Sequence, residues 1–227
     1  MRLDQRLSQA LALSRSEAKK HIKAGLVSVD GVVYYQTGLQ VTDAQTVLCQ
    51  NQPADILPEQ YILLHKPAGY VCSHIDDGHP SALRLLERNS KKLHFAGRLD
   101  ADTTGLVLLS SDGQWCHRVS SPSSKKQKHY RVTLAEPLTC QAMQQLQQGV
   151  HLHGEKHATA PCQIDLIDDF ACNIMLSEGK YHQVRRMFAA VGNHVTALHR
   201  FRIGQLQLEP LAEGASRPLS PEEIQSF

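Results

Sequence analysis

Apolar positions along the chain change period several times, and each change marks an element. RLDQRLSQAL near the start reads as a short helix, followed by SRSEAKKHIKAG, where Ser14 and Glu17 form a capping box and Gly25 lies past the end as a stop. At 100° per residue Ala18 and Ile22 fall on a buried stripe, with Arg15, Lys19 and Lys23 along one edge. LVSVDGVVY then alternates on either side of an Asp-Gly pair, the signature of a β-hairpin.

From residue 61 the period is mostly two. YILLHKPAGYVCS is a strand running into a Lys-Pro-x-Gly turn, LHFAGRLD and TGLVLLSSDG are short apolar runs with an Asp-Gly turn after the second, and KHYRVTL alternates. CQAMQQLQQGV is a helix ended by Gly149, FACNIMLSEG a strand, and HQVRRMFAAVG an amphipathic helix ended by Gly192. VTALHRFRIGQLQLE returns to strands. Strands outnumber helices, which favours an α+β fold with a mixed, mainly antiparallel sheet flanked by helices over alternating βαβ units. QNQPADILPEQ, with two prolines among polar residues, predicts a linker at about 50–60 between a small domain at 1–58 and a larger one at 59–227.

Composition narrows the class. At 41% hydrophobic and 20% charged the chain has enough apolar residues for a core, and no apolar run approaches the ~18 residues of a membrane span. The first twenty residues are interrupted by charges and lack a signal-peptide core, so the expected location is the cytoplasm, without a membrane. Cys49, Cys72, Cys116, Cys140, Cys162 and Cys172 are widely spaced, which predicts reduced thiols and neither a zinc site nor a disulfide scaffold. His151, His153 and His157 in HLHGEKH have no carboxylate pair beside them, and no metal is assigned there.

The net charge is only +2, but the positive charge is clustered. Residues 1–25 hold six Lys/Arg against two acids; no acid lies between Glu178 and Glu209, where Lys180, Arg185, Arg186, Arg200 and Arg202 fall; SKKQKHYR at 124–131 is a third cluster. Three acid-poor clusters in a near-neutral chain point to a polyanion, with nucleic acid as the leading candidate.

GRLDADTTGLVLLSSDG (97–113) places Arg98, Asp100 and Asp102 at the mouth of an apolar strand. Asp-x-Asp-x-Thr is the opening of a phosphotransfer motif found in haloacid-dehalogenase phosphatases. There, however, the first aspartate follows an apolar strand in a doubly wound sheet, whereas Ala-Gly-Arg-Leu before Asp100 reads as a turn. Beside that disfavoured reading, which magnesium dependence would revive, the residues leave two more: turn chemistry alone, or Asp100 as a lone reacting carboxylate with Asp102 and Thr104 shaping its loop.

Residues 1–48 resemble the S4 RNA-binding domain. The remainder resembles the pseudouridine synthases in four segments in the family's order: KPAGY (66–70), GRLDADTTG, KHYRV (128–132) and EGKYHQVRRMF (178–188). Tyr-His ahead of Gln-Val is similar to the RsuA-type branch, which modifies one uridine of small-subunit 16S ribosomal RNA. The resemblance implies an isomerase that needs no cofactor and no metal, acting on 16S rRNA or a small-subunit assembly intermediate, at uridine 516; a monomer is expected because no segment advertises an exposed interface. It implies Asp100 as the catalytic carboxylate, Arg185 as the cation that keeps it ionised, and Tyr130 as the platform on which the flipped uracil stacks. Arg98, Lys66, Arg186, Tyr181, His182 and Gln183 are expected to bind substrate or support the loop. Arg2, Arg15, Lys19, Lys20 and Lys23 are the expected RNA contacts of the S4 domain. Whether Asp100 attacks C1′ or removes the 2′ proton to give a glycal stays open. The rival functions are a synthase for a large-subunit site or a tRNA, and a non-catalytic RNA-binding assembly factor.

Overall fold

The protein is described by a computed structural model covering residues 1–227, except 12, 57, 87–92, 122–123, 125 and 209. Lys125 of the SKKQKHYR cluster and Glu209 of the last strand run therefore lie outside the described residues. The chain divides into two compact units, Met1–Pro58 and Glu59–Phe227.

In the first unit, helices α1 (Leu3–Leu11) and α2 (Arg15–Lys23) precede a four-stranded sheet of β1 (Val27–Val29), β2 (Val32–Val33), β3 (Val47–Cys49) and β4 (Gln52–Pro53), in the order β2-β1-β3-β4. The capping box is present: Ser14 Oγ accepts from the Glu17 amide at 3.2 Å, and Glu17 accepts from the Ser14 amide at 2.8 Å. Ala18 and Ile22 are fully buried with Leu3, Leu7, Val27 and Val47. Asp30 and Gly31 both take positive φ (50° and 83°), the two left-handed positions a tight hairpin turn demands. The linker expected from residue 50 starts later. Gln52–Pro53 pairs with β3 and Ala54 is buried in the core; a two-residue edge strand containing proline carries too little pattern to be read.

The second unit is a nine-stranded mixed sheet. Its main path is β13 (Ser216–Pro218), β5 (Tyr61–Lys66), β7 (Thr104–Ser110), β11 (Val195–Ile203), β8 (Lys128–Leu134), β10 (Ala171–Leu176) and β9 (Gln163–Asp168), with β6 (His94–Phe95) beside β7 and β12 (Leu206–Gln207) beside β11. Among the described residues every pairing between the named strands is antiparallel except β7 with β11, which leaves no doubly wound core and removes the phosphatase reading. Helices α3 (Gly113–Ser120), α4 (Cys140–Gln148), α5 (Gln183–Ala190) and α6 (Pro221–Gln225) complete the unit, with a 3₁₀ turn at Ala82–Leu85.

Asp112-Gly113, expected as a turn, instead starts α3. Asp112 Oδ1 accepts from the Gln114 and Trp115 amides at 2.9 and 3.0 Å, an N-cap, and Trp115, Cys116 and Val119 bury one face of the helix. Two apolar clusters, one under α4 and α5 and one around Leu64, Val107 and Leu109, both reach Tyr130. All six cysteines are free, and all but Cys140 are buried. No helix among the described residues is long and apolar enough to cross a membrane.

Candidate active site

The loop between β6 and β7 carries Arg98, Asp100 and Asp102, and its position is fixed from below. β5 ends at Lys66, whose side chain is fully buried and whose ammonium donates to the carbonyls of Pro67 (2.8 Å) and Ala101 (3.2 Å). The Gly69 amide donates to the same Ala101 carbonyl at 2.8 Å, so the residue between the two aspartates is held by two donors. Burial pushes the Lys66 pKa down from its ordinary value, opposed by the nearby Cys72, Asp102 and Asp100. Thr103, almost fully buried, closes the turn by donating its amide to the Asp100 carbonyl at 3.1 Å. The Leu99 amide reaches the buried Cys72 sulfur at 3.4 Å.

A pocket opens above this loop. It is lined by Arg98, Asp100 and Thr103 of the loop, by Tyr130 of β8 and Leu198 of β11, and by Glu178, Lys180, His182 and Arg185 of the segment that enters α5. Tyr130 is half-buried on β8, with Val132 and Leu134 on the same inward parity. α5 brings the basic wall. Its N-cap, His182, stands in the left-handed region (φ 46°, ψ 37°) with no side-chain cap, and its imidazole stacks on the exposed Tyr181 ring at 3.9 Å.

The structure pairs the charges differently from expectation. Arg185 lines the same pocket as Asp100, but its ion pair is with Asp102. Its Nη2 lies 2.8 Å from Asp102, while Nη1 donates to the Val195 carbonyl at 2.9 Å. Asp100 meets His182 instead, Oδ1 to Nε2 at 3.2 Å. Two aspartates two residues apart cannot be told apart by spacing alone when their backbone is a turn rather than a strand. Asp102, expected only to shape the loop, therefore also carries an ion pair, and the Thr104 hydroxyl lies 2.8 Å from His199 Nδ1, away from the aspartates.

Of the other expected site residues, Arg98 is exposed at the pocket rim and Lys66 lies beneath the loop. Gln183 is buried at the wall. It accepts from the Lys180 amide at 2.8 Å and donates to Glu178 at 2.6 Å, which makes it a brace for α5. Arg186 does not line the pocket. It is held by Glu155 at 3.3 Å and the Tyr181 carbonyl at 2.9 Å. In the first unit Arg2 is bidentate to the buried Asp4 (3.0 and 3.1 Å), with Arg15 at 3.8 Å and Lys19 at 4.0 Å from the same carboxylate. Hydrogen bonding from Arg2 leads in holding the Asp4 pKa below its usual value. Lys20 and Lys23 are exposed on the same helix. Along the sequence Glu178, Lys180 and Arg200 figure only as the edge and members of a basic cluster, not as site residues. The first two stand where β10 ends beside the basic motif, and Arg200 is buried in β11.

Residues 60–190 match the family described as RNA pseudouridylate synthase, and residues 1–47 match the S4 domain. The chain is 46% identical over 229 residues to the "Ribosomal small subunit pseudouridine synthase A" of Vibrio cholerae, covering 100% of this chain and 99% of the relative. It is 48% identical to the protein of that name from Yersinia pestis, covering 100% and 97%. A solved structure described as a pseudouridylate synthase is 41% identical, with a TM-score of 0.71 over 100% of this chain and 99% of that one.

Proposed function

The chain belongs to the RNA pseudouridylate synthase family, isomerases, with an S4 domain ahead of the catalytic domain, and on that premise we propose that it converts one uridine of small-subunit ribosomal RNA to pseudouridine, with Asp100 as the reacting carboxylate. The observation that carries this reading is the pocket in which the Asp100 carboxylate, the Tyr130 ring and the cationic wall of α5 converge.

The reaction breaks the C1′–N1 bond, turns the uracil and joins C5 to C1′; N1 gains a proton and C5 loses one. The change is redox-neutral and transfers no group between molecules, so side chains suffice. A base within structured RNA reaches the pocket only when flipped out of its stack. Tyr130 offers the face for it, a contact worth ~1–3 kcal/mol per base, and Arg98 at the rim is placed to meet the strand the base leaves. Asp100 then attacks C1′ or takes the 2′ proton. Arg185 contributes a fixed positive charge against Asp102, and His182 a hydrogen-bonding partner for Asp100, the two carboxylates that must be held in place while the glycosidic bond is open.

The full-length relatives named for the ribosomal small subunit support the substrate class; the finer target proposed within it is uridine 516 of 16S rRNA, met in the cytoplasm as free RNA or as an assembly intermediate. Arg15, Lys19, Lys20 and Lys23 on α2 supply a basic edge for RNA outside the target loop. We take a single chain as the acting unit; the lining of the pocket falls within residues 98–198, inside the second unit.

The test is mass-spectrometric mapping of pseudouridine in small-subunit rRNA, free and in ribonucleoprotein particles, with wild type and Asp100→Asn. One new pseudouridine is expected with wild type and none with the variant. Product confined to large-subunit rRNA or tRNA, or undiminished product from Asp100→Asn, refutes the assignment.

A further inference from the structure

Arg200 is a charged side chain in the middle of a sheet, 2% exposed, on a strand whose neighbouring inward position is Leu198. Packing alone is served there by an apolar residue, because a buried charge is costly unless its donors are used. Its guanidinium reaches three pieces of the site. Nε donates to the Leu106 carbonyl of β7 at 2.9 Å, and Nη1 donates to the Arg98 carbonyl of the aspartate loop at 3.3 Å. The guanidinium carbon stands 6.0 Å from the centroid of the Tyr130 ring, and Tyr130 is Arg200's register partner across the β8–β11 pair. Nη2 is buried and has no acceptor among the described residues. The backbone is as constrained as the side chain. Arg200 pairs in parallel with Gly105, and a Cβ on Gly105 would lie 2.2 Å from the Arg200 carbonyl oxygen.

We propose that Arg200 is a positioning residue for the isomerisation: its planar fork sets the Tyr130 ring and the Arg98 end of the aspartate loop in one frame, so that a uracil stacked on Tyr130 presents its sugar to Asp100. The inference rests on the function proposed above. A guanidinium suits the task because it hydrogen-bonds in its plane and offers a flat face to a ring at once, which an ammonium does not.

The experiment is a double-mutant cycle under single-turnover conditions at saturating small-subunit rRNA, using wild type, Arg200→Lys, Arg200→Met, Tyr130→Leu and the two double variants, with RNA affinity by filter binding and thermal melts alongside. Both Arg200 variants are expected to slow pseudouridine formation ~10–100-fold, with RNA affinity within about twofold of wild type and less loss for Lys than for Met. In the Tyr130→Leu background the same substitutions are expected to cost at least about fivefold less, the non-additivity of groups acting as a unit. Equal losses in both backgrounds, or a loss seen only in affinity, overturn the proposal. Should Arg200→Met fail to fold, Arg200→Lys decides; should neither give a cooperative melt, the residue is a structural prop and the inference fails. A wild type that makes no pseudouridine on this RNA refutes the functional reading itself, an outcome distinct from an active wild type with additive losses.

Discussion

Lys66→Met separates the support of the aspartate loop from the stability of the fold. Methionine fills nearly the same volume without a donor, so the change removes two hydrogen bonds and a buried charge together. The Ala101 carbonyl keeps the Gly69 amide at 2.8 Å, whereas the Pro67 carbonyl loses its ammonium donor. One buried acceptor left unpaired costs about 1–3 kcal/mol. Against that stands the desolvation of the ammonium, which depresses its pKa and which the variant relieves. The net destabilisation at neutral pH is therefore expected near the low end, about 1–2 kcal/mol, readable as a shift in urea midpoint at unchanged slope.

Activity is expected to fall much further, ~100-fold in single-turnover rate, because a displacement of about 1 Å in a reacting group costs that much. The pH dependence has a definite sign. A lysine whose folded pKa is depressed penalises the fold while charged, and the penalty fades as pH rises from that depressed value towards 10.5, since the unfolded chain binds more protons there. Wild type should thus gain stability relative to Lys66→Met across that window. The comparison must be a difference at matched pH, because Cys116, Cys162 and Cys172, pushed up to about 11 by burial, make both proteins lose stability above pH 9. A variant that stays within threefold of the wild-type rate while fully folded would show that the ammonium does not hold the aspartate in place.

Gly105→Ala is expected to destabilise the catalytic domain by about 3 kcal/mol or more, since the new Cβ meets backbone at 2.2 Å and φ is +113°; a denaturation midpoint within 1 kcal/mol of wild type would contradict the close strand approach. His182→Gly is expected to stabilise the start of α5 by about 0.5–1 kcal/mol through relief of the left-handed backbone, yet slow the reaction about tenfold by removing the imidazole beside Asp100. A melting curve and a single-turnover rate on the same preparation check both halves, and a gain or loss in the two together would refute the division.

The parts of this fold that could be read from sequence are those where side-chain period and local chemistry agree. Ser14 with Glu17, Asp30 with Gly31, and the alternation of KHYRVTL each say one thing twice. α3 was hidden because Asp-Gly serves equally as a hairpin turn and as a helix cap, and only Trp115, Cys116 and Val119 packing inward decide for the helix. The first strand pair after residue 46 was hidden by brevity. Within the site, residue types and motif order located Asp100, Tyr130, His182 and Arg185 in one pocket, but the pairing of cations with aspartates depends on which way a turn faces. Arg200 reads, with Arg202 and its neighbours, as part of a basic cluster facing a polyanion, and nothing in the sequence marks it as buried. Its burial follows from β11 lying between β7 and β8, a long-range fact.

That placement of β11 has a temporal consequence. Asp100, its loop and β7 are made in the first half of the chain, but the strand between β7 and β8 spans Val195–Ile203, and the strand covering the outer side of β5 spans Ser216–Pro218. A growing chain therefore carries Asp100, the carboxylate proposed to react, for about a hundred residues of synthesis before a pocket can close around it. Synthesis at ~5–20 residues per second makes that an interval of about 5–20 seconds. During it, unpaired edges of β7 and β8 are exposed to other chains, so the same strand that organises the site also sets when the enzyme becomes competent and how long its sheet is open to mispairing.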